Sequence, residues 1–106
     1  MNASDYCIVS TTTDTEENVE EITQTLLQKK LVACVQTEHI KSAYRWQGKI
    51  IFADEIQLQM KTKTSLFDQI KTEIETLHTY DVPEIIILPL MNANRSYLEW
   101  IEKETL

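Results

Sequence analysis

Glycine, proline, cysteine and histidine are all scarce in this sequence of 106 residues, which contains one glycine, two prolines, two cysteines and two histidines. A single glycine excludes a phosphate-binding loop and a glycine-rich dinucleotide fingerprint, because both need several glycines to bring the backbone close to phosphate. Two histidines cannot supply a three-histidine zinc site within one chain. The cysteines, Cys7 and Cys34, form no C-x-x-C pair, which excludes a thioredoxin-like redox motif.

Charge and hydropathy exclude further classes of protein. Ten basic and seventeen acidic residues give a net charge of −7, and the basic residues form no patch, so we expect no nucleic-acid partner. No apolar stretch approaches ~18 residues and the N-terminus lacks the pattern of a signal peptide, so no membrane partner is expected. Cys7 and Cys34 lie in apolar, strand-like runs and are expected to be buried and reduced. We therefore expect a cytoplasmic protein in which residues 1–106 form one domain.

The one glycine lies between two long runs that favour β-strands. Residues 31–46 and 49–62 contain no other glycine and no proline, and both runs are rich in β-branched and aromatic residues. They predict an antiparallel hairpin that turns at Gly48, which reaches positive φ without steric cost. Strands of about 14 residues at ~3.3 Å per residue would reach ~46 Å. A compact domain of this length is only ~33 Å across, so the hairpin is predicted to extend beyond its own domain.

Apolar residues near the turn predict what covers this extension. The alternation of polar and apolar residues breaks down there, and both faces of the hairpin carry apolar groups. A free hairpin with two apolar faces and open edges would be unstable. We therefore expect the hairpin tips to pack between copies of the chain, with Tyr44, Trp46, Ile51 and Phe52 in the interface. A hairpin that folds over its own helices is the alternative.

The two helices that flank the hairpin have recognisable starts. A β-rich run at residues 6–12 precedes the first helix, which Asp14 is predicted to cap, with Glu17 completing a capping box. The second helix is predicted to begin at a cap formed by Thr64 or Ser65. Apolar residues recur at helical spacing after each of these caps, which indicates two helices that each bury one stripe.

The element order predicts the fold class. The second helix is expected to end near His78, and the apolar run 84–89 is expected to be a strand buried on both faces. Asn94 is predicted to cap a last helix. The resulting order, β-α-β-β-α-β-α, is that of an α+β protein. It predicts a ferredoxin-like βαββαβ subunit with an extra C-terminal helix and a long hairpin between its second and third strands.

The densest cluster of polar side chains runs from His78 to Glu84, where a helix end joins a strand. Imidazole, phenol and carboxylate groups can converge at such a junction. On the second hairpin strand, Glu55 and Lys61 share one face. The candidates for lining a ligand pocket are therefore Glu55, Lys61, Tyr80 and Glu84. The alternatives are that His78 only complements the helix dipole and that the polar row is a solvated sheet face.

Five short segments, spread over nearly the whole chain, form a specific pattern by their order and spacing. They are Leu31-Val32-Ala33-Cys34-Val35, Tyr44-Arg45-Trp46-Gln47-Gly48-Lys49, Glu55 through Lys61-Thr62, Tyr80-Asp81-Val82-Pro83-Glu84-Ile85 and Tyr97-Leu98-Glu99-Trp100. Together these segments resemble the CutA divalent-cation tolerance family. The resemblance implies a ferredoxin-like subunit that assembles as a tight homotrimer, with hairpins pairing between neighbours. It also implies a cytoplasmic protein linked to tolerance of divalent metals, with no established reaction.

The resemblance also bears on a metal site. Family members with a copper site combine a cysteine at the end of the first strand with a histidine before a Tyr-x-x-Pro-Glu segment. In this sequence His78 holds the histidine position, but Ser10 stands at the cysteine position. A hydroxyl is a poor ligand for Cu(I). Any divalent metal bound at His78, copper or zinc, is therefore expected to be held weakly.

These observations predict a trimeric, non-enzymatic protein of the divalent-cation response. The main alternative is a sensor resembling the PII signalling proteins, in which clefts between subunits bind a small metabolite and contain Glu55, Lys61, Tyr80 and Glu84. The hairpin carries only Lys41, Arg45 and Lys49 near its turn, which weighs against a nucleotide as that metabolite. An enzyme that uses the same groups is a third interpretation.

Overall fold

Helices and strands follow one another in the predicted order. The computed structural model describes residues 1–106, and its elements are β1 (Tyr6–Thr13), α1 (Glu16–Gln28), β2 (Cys34–Trp46), β3 (Lys49–Lys63), α2 (Phe67–Leu77), β4 (Ile85–Pro89) and α3 (Arg95–Glu104). The strands form one antiparallel sheet in the order β2-β3-β1-β4. The predicted α+β, ferredoxin-like fold with an added C-terminal helix is confirmed. None of the helices is long and apolar enough to cross a membrane.

Helices α1 and α2 cover one face of the sheet with the stripes that the sequence predicts. Ile22 and Leu26 of α1 and Ile70 and Ile74 of α2 are fully buried against the sheet residues Val9, Leu58 and Met60. Each helical pair is spaced four residues apart, so its members lie on one side of the helix. This layer is the main hydrophobic core, and it fixes the ends of α1 and α2 near the functional residues described below.

Helix α3 packs on part of the opposite face. Leu98 and Ile101 form a small second core with Tyr6, which is adjacent in β1 to Cys7 of the main core. Because successive side chains of a strand point to opposite faces, this placement puts α3 across the sheet from α1 and α2. The rest of that face, including the hairpin, is not covered by any helix.

The helix starts differ in detail from the prediction. Thr15 caps α1 and accepts a hydrogen bond from the backbone N–H of Asn18 at 3.1 Å, so the prediction of Asp14 was wrong by one residue. Threonine and aspartate are both favourable caps, and the backbone conformation decides between neighbours. Neither Thr64 nor Ser65 caps α2, because both lie in a short 3₁₀ turn that leads directly into the helix.

Strand β4 is an edge strand, and its predicted burial on both faces is wrong for a single chain. It pairs only with β1, and Ile85 and Ile87 pack against the main core. Ile86 and Leu88 point to the other face and remain about half exposed. A short, nearly continuous apolar run has the same sequence pattern whether both faces of the strand are covered by its own chain or one face is covered by another molecule. The last helix begins after Asn94, which stands at the predicted cap position, but its side chain makes no capping hydrogen bond.

The hairpin turns at two residues, Gln47 and Gly48, whose φ angles are +50° and +78°. Two successive residues with positive φ are typical of the tight turn that matches the twist of long antiparallel strands. Residues 56–63 of β3 also pair with β1, whereas residues 49–55 pair with β2 alone. The molecule measures 45 × 26 × 22 Å, so the predicted extension of the hairpin beyond its domain is confirmed.

The overhanging half of the hairpin is apolar on both faces. The strand register places Tyr44 opposite Ile51 on one face and Ala43 opposite Phe52 on the other. Phe52 is 81% exposed and Trp46 is 42% exposed, although both are large apolar side chains. The hairpin does not fold over its own helices, so the alternative prediction is wrong.

The two cysteines lie in different environments. Both are free thiols, but Cys7 is completely buried whereas Cys34, at the start of β2, is only partly buried, contrary to expectation. Burial raises the pKa of the Cys7 thiol above its ordinary value, more than a hydrogen bond with Thr64 lowers it. Cys7 lies on the central strand β1, whereas Cys34 lies on the edge strand β2, where fewer neighbours cover its side chain.

We expect a thiol reagent to label Cys34 of the native protein at least about tenfold faster than Cys7, because Cys7 reacts only after the core opens. Mass spectrometry of peptides after timed labelling measures both rates. Cys34→Ser should remove the fast phase and leave the slow one. Equal rates for the two thiols would contradict the burial of Cys7.

Candidate functional site

A cleft lies between the overhanging hairpin and the loop that precedes β4. Its volume is about 640 Å³, which falls within the range of ~300–1,000 Å³ typical of small-molecule sites. The lining comes from the end of β1, from the second half of β2, from Glu55 of β3 and from the loop at residues 80–84. The predicted pocket residues Glu55, Tyr80 and Glu84 therefore come together, and the predicted interface residues Tyr44 and Trp46 join them.

Glu55 and Tyr80 form the polar centre of this cleft. The Tyr80 hydroxyl donates a hydrogen bond of 2.7 Å to Oε2 of Glu55. Glu55 is buried, with only 6% of its surface exposed. Burial, followed by this hydrogen bond and by the charges of Glu55 and Asp14, raises the pKa of Tyr80 far above its ordinary value. The phenol consequently stays protonated and donates to the carboxylate at any physiological pH.

His78 holds the loop that carries Tyr80. Its Nε2 lies 2.7 Å from the carbonyl oxygen of Thr12, and its Nδ1 accepts a hydrogen bond of 3.0 Å from the backbone N–H of Tyr80. Because a carbonyl can only accept, the proton of the neutral ring is on Nε2. The imidazole also packs against the Tyr80 ring, with 4.8 Å between centroids. His78 thus ties the end of α2 to β1 and orients Tyr80 toward Glu55.

The surroundings of His78 do not fit a resident metal ion. Both ring nitrogens are engaged by backbone groups, so a metal would have to displace the Thr12 carbonyl or the Tyr80 amide. Nowhere in the structure do three His, Cys, Asp or Glu side chains converge on a common point where an ion could be held. Ser10, two residues before Thr12, is buried and offers only a hydroxyl. Metal ions in proteins prefer several charged or imidazole ligands at once.

Lys61 does not share the cleft, so its placement among the pocket residues does not hold within one chain. It lies on the same face of β3 as Glu55 but six residues further along, which corresponds to ~20 Å of extended strand. There it stands opposite Ile8 and Cys34, and its amine contacts the side-chain oxygen of Gln36. Equal parity places two residues on one face of a sheet but does not bring them near each other.

Sequence reasoning did not predict five of the residues that line the cleft, which are Thr12, Ser42, Ala43, Asp81 and Val82. Asp81 belongs to the polar segment from His78 to Glu84, so a signal for it was present. Ser42 could have been found from strand alternation, since it shares a face with Tyr44 and Trp46. No local sequence pattern identifies Thr12, because its carbonyl oxygen accepts a hydrogen bond from His78, which lies 66 residues away.

The free energy of unfolding should fall as the pH rises above about 10, where tyrosine in an unfolded chain loses its proton. The raised pKa means that folded Tyr80 keeps a proton that the unfolded chain releases, so the unfolded state is favoured at high pH. In Tyr80→Phe this fall should be smaller, although not absent, because burial also raises the pKa values of Tyr6 and Tyr97. Urea unfolding at a series of alkaline pH values measures it. Identical slopes for the two proteins would contradict the buried contact with Glu55.

Comparisons with known proteins agree with one another. Residues 7–104 match the family model described as CutA1 divalent ion tolerance protein, a description that names no reaction. The divalent-cation tolerance protein CutA of Thermus thermophilus is 38% identical over 99 residues, which cover 92% of this chain and 96% of that protein. The CutA of Pyrococcus horikoshii is also 38% identical, over 92% of this chain and 96% of its own length.

Solved structures give the same result. CutA from Synechococcus elongatus superposes with a TM-score of 0.94 at 28% identity, covering 100% of this chain and 95% of that one. The periplasmic divalent cation tolerance protein CutA from Archaeoglobus fulgidus superposes with a TM-score of 0.91 at 33% identity, covering 93% and 97%. A relative in Arabidopsis thaliana is chloroplastic, so a cytoplasmic location stays a prediction for this chain. By sequence and by fold alike, the chain belongs to the CutA1 divalent ion tolerance protein family.

Proposed function

We propose that this divalent-cation tolerance protein works as a homotrimer that binds a small ligand in the cleft at Glu55 and Tyr80, without catalysing a reaction. The observation that carries the proposal is a nine-tenths buried carboxylate at the base of an open cleft of about 640 Å³, held in place by a tyrosine hydroxyl. Binding sites of this kind combine an apolar lining with a few well-oriented polar groups.

The overhanging hairpin supports the homotrimer. Residues 49–55 of β3 pair on one side only, which leaves an open strand edge next to large exposed apolar side chains. An open, apolar strand edge is unfavourable in water and is normally covered. On the face of the sheet that carries the cleft, β4 exposes Ile86 and Leu88 to solvent. A second and third copy of the chain would cover both surfaces, and the cleft beside the hairpin would then lie near the junction between subunits.

The geometry favours a ligand in the cleft over a metal ion at His78. The Glu55 carboxylate has one oxygen bound by Tyr80 and the other free of any partner within the chain, whereas both nitrogens of His78 are engaged. A group that is already oriented and still has a free acceptor can bind without a conformational cost. His78 then acts as a positioning residue for Tyr80 and does not touch the ligand.

The test is a calorimetric screen of the purified protein against common metabolites and divalent cations. We expect a small molecule to bind and Glu55→Gln to weaken that binding, since the substitution keeps the size of the side chain but removes its charge. Glu20→Gln is the matched control because Glu20 is an exposed glutamate on α1, outside the cleft. Binding only of divalent metals, with affinity unaffected by Glu55→Gln, would contradict the proposal.

Copper and zinc should bind weakly, with dissociation constants no tighter than about micromolar, because the residues at His78 offer a single engaged imidazole. Titration of Cu(II) and Zn(II) by calorimetry measures the affinity. His78→Ala should leave this weak affinity nearly unchanged because both ring nitrogens already bind backbone groups, and His39→Ala tests the exposed imidazole that lies beside Glu16 on β2. Tight binding that survives His78→Ala would place the metal site elsewhere.

A further inference from the structure

The charges that line the cleft are all of one sign. Three carboxylates contribute, those of Glu55, Asp81 and Glu84, and no lysine, arginine or histidine lines the cleft. Near the hairpin turn, Lys41 pairs with Asp54 at 3.1 Å, Arg45 stands opposite Ile50 and Lys49 stands opposite Trp46, and none of these three basic residues lines the cleft. The net charge of −7 adds to the negative potential of this region.

Glu55 is a buried acid that lacks a cationic partner. It makes no ion pair within the chain, and its one side-chain hydrogen bond comes from a neutral hydroxyl. Buried carboxylates are normally paired with a cation, because the loss of hydration is expensive unless an opposite charge offsets it. A cation from outside the chain would therefore be favourable beside the Glu55 carboxylate, which borders the cleft.

The aromatic side chains that line the cleft also favour a cationic ligand. The rings of Tyr44 and Trp46 lie along the hairpin wall of the cleft and are about two-fifths exposed, while Tyr80 forms the base beside Glu55. Aromatic faces attract organic cations, and tryptophan does so most strongly. An anionic ligand would face three carboxylates and gain nothing from these rings.

The side chains of one subunit favour a cation larger than a metal ion. A bare Ca²⁺ or Mg²⁺ requires about six oxygen ligands around one point, and the acidic side chains of the cleft do not converge in that way. The cleft volume of about 640 Å³ accommodates a molecule of many atoms instead. A positively charged nitrogen can approach Glu55 while its alkyl substituents contact Tyr44 and Trp46.

We propose that the cleft, at the junction between subunits of the proposed trimer, binds an organic ammonium ion whose charged nitrogen pairs with Glu55 and whose alkyl groups pack on the sides of Tyr44 and Trp46 that line the cleft. This inference rests on the proposed function, since it names the chemical class of the ligand for the same cleft. Glu84 and Asp81, at the rim, add to the attraction and do not need to touch the ligand.

The experiment uses Trp46 as the reporter, in the full chain with Trp100→Phe to remove the other tryptophan. The probes are choline, tetramethylammonium, a linear polyamine, the uncharged isostere of choline in which carbon replaces the quaternary nitrogen, and ATP. We expect at least one ammonium probe to change the Trp46 fluorescence saturably, and the uncharged isostere and ATP to have no such effect. Glu55→Gln should weaken binding by at least about tenfold, since it removes a buried charge from the pair.

Two further variants keep the result interpretable. Glu84→Gln changes an exposed residue and cannot unfold the protein, so a loss of affinity there reports the charge of the cleft alone. Glu20→Gln, far from the cleft on α1, should bind every probe as the parent protein does. Binding of ammonium probes that is unaffected by Glu55→Gln and Glu84→Gln would overturn the inference, because the cation would then bind elsewhere.

Different results would contradict the ammonium proposal and the proposed function. Saturable binding of the uncharged isostere or of ATP, with no binding of any ammonium probe, would overturn the ammonium class and leave a small-molecule cleft in place. If no ammonium probe binds and the metabolite screen also finds no ligand that depends on Glu55, both the class and the proposed function are wrong.

Discussion

Replacing Phe52 with aspartate is expected to dissociate the proposed trimer into monomers. Phe52 is 81% exposed in the single chain, so its substitution removes almost no contact within the subunit. A large effect can arise only where another subunit covers the ring. Burying a new charge at the centre of such an interface costs several kcal/mol, and three copies of the interface would be affected at once. Analytical ultracentrifugation at micromolar concentration measures the change in mass.

Trp46→Ala tests the same interface from the other face of the hairpin. Aromatic anchors dominate interface energetics, and removal of one commonly costs about 2 kcal/mol or more. The expected result is a lower melting temperature and a weaker trimer. Met91→Asp is the matched control, because Met91 is 97% exposed but lies beyond β4 and away from the hairpin. A wild-type protein that sediments as a monomer, or a Phe52→Asp variant that remains trimeric, would show that the hairpin tip does not assemble the protein.

Ile74→Ala is expected to destabilise the subunit itself by about 2–5 kcal/mol, as fully buried isoleucines do when truncated. Ile74 is completely buried where α2 meets α1 and the sheet. Its carbonyl also accepts the backbone N–H of His78 at 2.8 Å, so this turn of α2 positions the loop beside the cleft. Chemical denaturation with a linear extrapolation measures the loss.

The control for Ile74→Ala is Glu75→Ala, the next residue of α2, which is exposed. Alanine is favourable in a helix, so this variant should unfold within about 0.5 kcal/mol of the parent protein. A small effect of Ile74→Ala would mean that the layer of α1 and α2 on the sheet is not the main core. Both variants should retain the oligomeric state of the parent at low denaturant, because neither residue lies on the hairpin.

The element order, the hairpin and its excess length could all be predicted from the sequence, because each depends on local rules. One glycine between two long β-rich runs specifies a tight turn, and residue number times rise per residue gives the strand length. The stripes of α1 and α2 follow from helical spacing alone. Even the apolar excess on both faces of the hairpin is visible from alternation along one strand, because Ile51 and Phe52 are adjacent in β3 and point to opposite faces.

The wrong predictions concern residues whose surroundings are set by neighbours distant in the sequence. The apolar run of β4 indicated two covered faces, but α1 and α2 cover one face of the sheet and the small core under α3 does not include Ile86 or Leu88. Lys61 and Glu55 share a face, yet only the strand register and the position of the loop before β4 decided that Glu55 alone reaches the cleft.

By itself, the sequence determined a ferredoxin-like subunit with an overhanging hairpin, and it indicated that His78, Tyr80 and Glu55 are important. Only the tertiary structure decided their roles. His78 meets Thr12 across 66 residues and Tyr80 meets Glu55 across 25, and these contacts engage the imidazole of His78 and orient the Glu55 carboxylate at the cleft. The physical reason is that the availability of a ring nitrogen or a carboxylate oxygen depends on which partner the fold brings to it, and periodicity along the chain contains no information about that partner.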